Sequence, residues 1–134
     1  MTLVVDASVV AAWVLPDEDS GAADAILHRV AAEGAVVPEL LWHELRNILL
    51  VAVRRNRIAP EEVVPSLLRV RRLPLEGADA AAQGDRPLIA LALRHRLTAY
   101  DAAYLLLARE RGLPLATADR ALRHAAEAEG VALA

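Results

Sequence analysis

Cysteine, lysine and phenylalanine are all missing from this sequence. Without cysteine there is no disulfide, no thiolate nucleophile and no cysteine-based zinc site, and a cytoplasmic location is the default expectation. Without lysine, all 15 basic residues are arginine. That excludes Schiff-base chemistry and removes the lysine a P-loop places on the β- and γ-phosphates; the glycine pattern of that loop is missing too. It also weakens a receiver-type acidic pocket, which uses a lysine beside its phosphorylated aspartate. No uncharged apolar run reaches about 18 residues, so no membrane span is expected. The opening MTLVVDASVVAAWVLPDEDS is apolar but has no basic leader and carries Asp6 inside the run. It is not expected to be a signal peptide.

What remains is a chain of 134 residues, 56% apolar and rich in alanine, leucine and valine. Its length suits one domain spanning residues 1–134, large enough to bury about two thirds of the surface its unfolded chain exposes. The composition favours helices packed on a short sheet over an all-β fold. A net charge of −3 means that any nucleic-acid contact must come from local arginine clusters.

The pattern alternates. Thr2–Val5, Ala35–Val37, Leu73–Glu76, Leu115–Thr117 and Val131–Leu133 read as short strands. Between them Ala7–Leu15, Ser20–Glu33, Pro38 to about Asn56, Pro60–Arg72, Ala78–Arg96, Ala102–Arg111 and Arg120–Glu129 read as helices, with Gly34 and Gly112 as stops. Pro38 is expected in the first turn of its helix. Strand–helix alternation predicts an α/β fold with a mainly parallel sheet covered by helices on both faces. Functional groups of such sheets collect beyond the carboxyl ends of the strands. Asp6 follows the first strand directly and Asp119 lies two residues past Thr117, so both are expected on one rim.

Asp6, Asp101 and Asp119 each precede a helical segment, and capping free backbone N–H groups accounts for each of them taken alone. Thr98 competes with Asp101 for that role, and Ser8 with Asp6. Glu44 resists this explanation. Its neighbours three and four residues away are Leu40, Leu41, Asn47 and Ile48, so Glu44 and Asn47 interrupt an apolar stripe. An ionised carboxylate there needs a cation or a partner, with Arg29 and Arg94 as the salt-bridge alternatives. Four carboxylates in one pocket would repel one another unless Mg2+ or Mn2+ joined them, both of which prefer oxygen ligands. A site of that kind suits attack on a phosphodiester.

The segments VVDASVV, WHELRN, LTAYDAAYLLLA and PLATADRAL, in that order and spacing, resemble the PIN-domain nucleases, and within them the VapC toxins of type II toxin–antitoxin pairs. The resemblance covers essentially the whole chain. It implies a PIN-like α/β/α sandwich and endonuclease action on RNA with Mg2+ or Mn2+. It also implies a homodimer and neutralisation by a small VapB-like antitoxin protein. The acidic set maps to Asp6, Glu44, Asp101 and Asp119, with Ser8, Asn47 and Thr117 at the supporting polar positions. The chain departs from the expected charge: it is mildly acidic, so its RNA groove is not obvious. Arg46, Arg54, Arg55 and Arg57 are the candidate phosphate contacts, with a solvated basic face as the alternative.

Two other readings stay open. One is a PIN-like domain that binds RNA or protein without cutting. The other is an Asp-nucleophile phosphatase of the haloacid-dehalogenase type, which expects a second Asp two residues after the first; position 8 is Ser. The four histidines (His28, His43, His95 and His124) are scattered, and His43–Glu44 lacks the second His of a zinc-protease motif. Trp13 and Trp42 are expected to pack in the core or at an interface; Tyr100 and Tyr104 share a helix-spaced face and are expected in the core, with contact to a base as the alternative. A mean hydropathy of +0.31 suggests apolar helix surface covered by another chain.

Overall fold

The structure, a computed structural model, describes residues 2–18 and 20–134. Four short strands form the sheet: β1 (Val4–Val5), β2 (Ala35–Pro38), β3 (Leu75–Ala78) and β4 (Leu115–Ala116). All pair in parallel in the order β3-β2-β1-β4. The helices among the described residues are α1 (Ala7–Val14), α2 (Gly21–Glu33), α3 (Leu40–Arg54), α4 (Val63–Arg71), α5 (Asp85–His95), α6 (Ala99–Arg111) and α7 (Arg120–Ala128). They flank the sheet as the outer layers of an α/β/α sandwich. No described helix is long and apolar enough to cross a membrane.

Burial explains why β1, β2 and β4 read as unbroken apolar runs. Val4, Val5, Val36 and Leu115 are wholly inaccessible, as strands covered on both faces must be. α6 contacts β1, β2 and β4 and is flanked by α5 and α7; α3 packs on α1 and α4. Leu41, Leu45 and Leu49 of α3 and Leu105 and Leu106 of α6 fill the core at helical spacing.

Several boundaries differ from expectation, most for a local reason. Pro38 closes β2, in register with Ala78, and α3 begins at Leu40; a fixed φ with no N–H donor suits a strand end as well as a helix start. α3 stops at Arg54 because Asn56 adopts a left-handed conformation at φ 58°. The alanines after Ala78 do not form a helix. β3 runs two residues further than expected, Asp79 accepts the Ala81 N–H at 2.9 Å in a turn, and Gly84 at φ 93° ends that turn before α5. Local side-chain capping here overrides alanine's helix propensity. Val131–Leu133 contributes only an isolated bridge from Leu133 to Leu115.

One acidic residue ties the α5–α6–α7 layer together. Glu129, just past α7, accepts from His95 at 2.7 Å and Arg94 at 2.8 Å on α5, and from Arg109 at 2.9 Å on α6. His95 first, then the two guanidinium groups, hold its carboxyl down to about 2. A depressed carboxyl pKa contributes stability that is present above the unfolded value and lost as pH falls through the folded one. Wild type should therefore lose this contribution between about pH 4.5 and pH 2, whereas Glu129→Gln should lack it throughout. The variant should melt roughly 5 °C lower at neutral pH, with the gap closing on acidification. A constant gap across a pH series of thermal melts would exclude the linkage.

Candidate active site

The strand order changes direction at β1. β2 and β3 add on one side and β4 on the other, so the crevice beyond the carboxyl ends of β1 and β4 is the place where a parallel sheet opens to a ligand. Asp6 leaves β1 there and Asp119 follows β4.

A polar clasp joins these two strand ends. Asp6 is 4% exposed. Its Oδ1 accepts from the Ser8 hydroxyl at 2.7 Å and the Val9 N–H at 3.2 Å. The Thr117 hydroxyl donates to its Oδ2, and the Asp119 N–H donates to Thr117 Oγ1 at 3.0 Å. Ser8 Oγ accepts from the Ala118 N–H at 3.1 Å. Asp6 therefore caps α1 and still holds a carboxylate at the crevice. Asp119 likewise caps α7, its Oδ1 accepting from Leu122 N–H at 2.9 Å, and its side chain is exposed. Capping and a role in the crevice are compatible, because one carboxylate has more lone pairs than one cap uses.

Asp101 does not cap. The cap of α6 is Thr98, whose Oγ1 accepts the Asp101 N–H at 3.1 Å, so Asp101 lies inside the first turn with its carboxyl half-buried. Glu44 is half-buried on α3, and neither Arg29 nor Arg94 reaches it: Arg29 pairs with Glu33 and Arg94 with Glu129. Its partner is Tyr104, whose hydroxyl donates to Oε1 at 2.7 Å from a ring buried in the core. Sequence reasoning favoured core packing for Tyr104, with contact to a base as the alternative, and did not pair it with Glu44. The available signal was its position three residues after Asp101, one turn along the same helix. Tyr104→Phe should cost about 1.5–3 kcal/mol at neutral pH, the range for a hydrogen bond to a charged group. Denaturant unfolding measures this, and an unchanged midpoint would show the bond to be idle.

Asp6, Glu44 and Asp101 are each raised by burial and by an acidic neighbour. Burial raises the Asp6 carboxyl, countered by its hydroxyl donors, and Asp119 raises it further. Burial raises Glu44, with Asp101 and Asp6 adding to it, and burial followed by Asp119 and Asp6 raises Asp101. Among the described residues none of the four takes part in a salt bridge. The crevice thus carries acidic groups that no basic side chain among the described residues pairs with directly.

No three Asp, Glu, His or Cys groups among the described residues stand so as to enclose an ion unaided. The donors at the crevice are all oxygen, the chemistry that Mg2+ and Mn2+ prefer. Mg2+ keeps several of its waters and takes one or two carboxylates directly.

The arginines part company. Arg57 is committed to Asp17, with two bonds at 2.7 Å, and to Glu18. Arg54 and Arg55 lie ten and eleven residues beyond Glu44, about 15 Å along α3. Arg46 lines the same groove as Glu44, Asn47 and Tyr100, so of the four it is Arg46 that shares a groove with one of the acids, Glu44. A basic residue not anticipated, Arg123, donates to the Thr117 carbonyl at 3.1 Å beside the clasp. Its signal was its place one turn after Asp119 on α7. Tyr100 is the other correction: it is 59% exposed, while Tyr104 is 1% exposed.

With this geometry in place, the comparisons with known proteins agree among themselves. The PIN domain family model matches residues 3–128. The chain is similar to Ribonuclease VapC3 of Pyrobaculum aerophilum, with 34% identity over 123 residues covering 91% of this chain and 92% of that protein. The crystal structure of PAE2754 from the same organism superposes with a TM-score of 0.71 at 26% identity, covering 93% of this chain and 86% of that one. FitAcB from Neisseria gonorrhoeae shares the fold at a TM-score of 0.55 and 17% identity, over 98% of this chain and 96% of the other. A family match over nearly the whole length, on the same elements that carry the acidic crevice, means that this chain belongs to the PIN-domain family.

Proposed function

We propose that residues 1–134 form one endoribonuclease domain that hydrolyses RNA phosphodiesters at Asp6, Glu44, Asp101 and Asp119 with Mg2+ or Mn2+. The observation that carries this reading is the acidic crevice at the β1–β4 switch point, where burial and neighbouring acids raise the carboxyls of Asp6, Glu44 and Asp101, and none of the four acids has a salt-bridge partner among the described residues. The similarity to Ribonuclease VapC3 supports RNA as the substrate. When bound, the cation would supply Lewis-acid polarisation of the phosphodiester and a nucleophile available at neutral pH.

The chain's own residues do the positioning. Ser8 and Thr117 lock the Asp6 carboxylate in one orientation from both sides. Tyr104 holds Glu44 against the crevice from inside the core. Asp101, released from capping by Thr98, keeps both carboxyl oxygens for the site. Asn47, exposed one turn on from Glu44, and Arg46 border the groove on the α3 side, where an RNA strand would pass. Ser8 supports hydrolysis without an aspartyl-phosphate, because position 8 offers a hydroxyl donor to Asp6 and no second carboxylate.

In the cell this activity would make the protein the cytoplasmic toxin of a toxin–antitoxin pair, held by a small VapB-like antitoxin and working as a homodimer. Exposed Val64 and Leu68 on α4 and Ile89 and Leu93 on α5 support protein contacts on those helices. The test is cleavage of mixed RNA by the purified protein. Activity should vanish in excess EDTA and return with Mg2+ or Mn2+; undiminished cutting in EDTA would refute the mechanism.

A further inference from the structure

Beside the acids lies a second groove, of about 510 Å3, that the cutting reaction does not use. Its walls are apolar and small, among them Pro38, Leu40, Ala78, Leu88 and Ala103. Tyr100 borders both this groove and the polar one that holds Glu44, Arg46 and Asn47. It immediately precedes Asp101, and its ring is 59% exposed. An aromatic ring left in water on the ridge between an apolar slot and the groove that holds Glu44 is unfavourable to the free protein. It is well suited to a flat partner that enters together with a phosphate.

We infer that this groove is a nucleobase subsite, in which the base of a nucleotide flanking the scissile phosphate stacks on Tyr100. The inference rests on the ribonuclease reading and deepens it by naming how the RNA is selected. Base–aromatic stacking tolerates any sequence, because every base has a π-face. Discrimination must come from polar groups at the rim, where the charged side chains are Glu39 and Asp79. Asp79 already accepts the Ala81 N–H. Glu39 makes no side-chain cap bond at the start of α3, and its carboxyl lies over Gly77, in the space a Cβ at that position would take. An ionised carboxylate only accepts hydrogen bonds. It therefore favours guanine, which presents adjacent N1–H and N2–H donors, and disfavours uracil, whose single N–H lies between two carbonyl oxygens.

A randomised single-stranded RNA pool, digested in Mg2+ and sequenced at the new ends, tests this. Wild type should show guanine enriched and uracil depleted at one position next to the cut. Tyr100→Ala should flatten that position and lower kcat/KM about 5- to 100-fold, the equivalent of one lost stacked base, with an unchanged melting temperature because the ring is exposed. Tyr100→Phe keeps the ring and should rescue most of the loss. Gly77→Ala pushes aside only the flexible end of Glu39; it should erase the guanine–uracil difference while retaining stacking. If wild type cuts RNA but Tyr100→Ala leaves rate and profile unchanged, the subsite is overturned and the nuclease reading stands; a groove filled by a protein partner would give that result. A protein that cuts no RNA with either metal overturns both.

Discussion

Asp6→Asn should lower RNA cleavage by about 10^2- to 10^3-fold while leaving the melting temperature level or higher. The rate loss corresponds to several kcal/mol of charge stabilisation at the reacting phosphodiester. The stability side follows from the clasp. Asn Oδ1 can still accept from the Val9 N–H, the bond that caps α1, and from the Ser8 hydroxyl. Its Nδ2 would face Thr117 Oγ1, which already accepts the Asp119 N–H and has a second lone pair. The Thr117 proton loses its acceptor, at a cost of about 1 kcal/mol. Against this, a 4%-exposed carboxylate that burial already pushes toward its neutral form no longer has to be charged. Initial rates in saturating Mg2+ and thermal melts of both proteins check the pair of outcomes. Cleavage near the wild-type rate would make Asp6 a cap and nothing more.

Asp101→Asn should uncouple stability from the metal. Thr98 caps α6, so the substitution removes charge without removing a cap. Burial, with Asp119 and Asp6, raises the Asp101 carboxyl. A raised carboxyl pKa means the folded protein holds a proton that the unfolded chain has released. Stability of the metal-free protein therefore falls as pH climbs from about 4 through the raised value. The variant lacks that penalty and should melt at or above the wild-type temperature in EDTA at pH 7. Mg2+ at a hundredfold excess over its dissociation constant should stabilise wild type by about 2.7 kcal/mol, roughly 10 °C for a chain of this size. Asp101→Asn should gain far less. Two proteins equally indifferent to millimolar Mg2+ and Mn2+ would remove the cation from the site.

Much of this site was legible before any coordinates because the acids sit where periodicity breaks. Asp6 and Asp119 end apolar strand runs, and Glu44 interrupts an apolar helix face; each departs from a pattern that burial enforces on its neighbours. The reading of Asp101 as a residue preceding its helix failed because cap position depends on which residue first turns helical, and Thr98 competes for that place. The alanine run after Ala78 failed for a similar reason. Propensity favours helix there, but a side-chain bond from Asp79 and the left-handed turn at Gly84 decide otherwise.

The sequence by itself determined the α/β alternation and the parallel sheet, and nominated four candidate carboxylates, because one-dimensional spacing dictates which residues can share a face or follow a strand. Tertiary structure alone decided their partners. Tyr104 meets Glu44 across 60 residues, Thr117 meets Asp6 across 111, and Glu129 gathers Arg94, His95 and Arg109 from two other helices. Arg57, expected at an RNA groove, is drawn to Asp17 across 40 residues, while Tyr100 is left in water and Tyr104 is buried. Periodicity reports whether a side chain faces inward, but hydrogen bonds and ion pairs depend on distances of about 3 Å between elements far apart in the chain. Those distances exist only once the helices have packed.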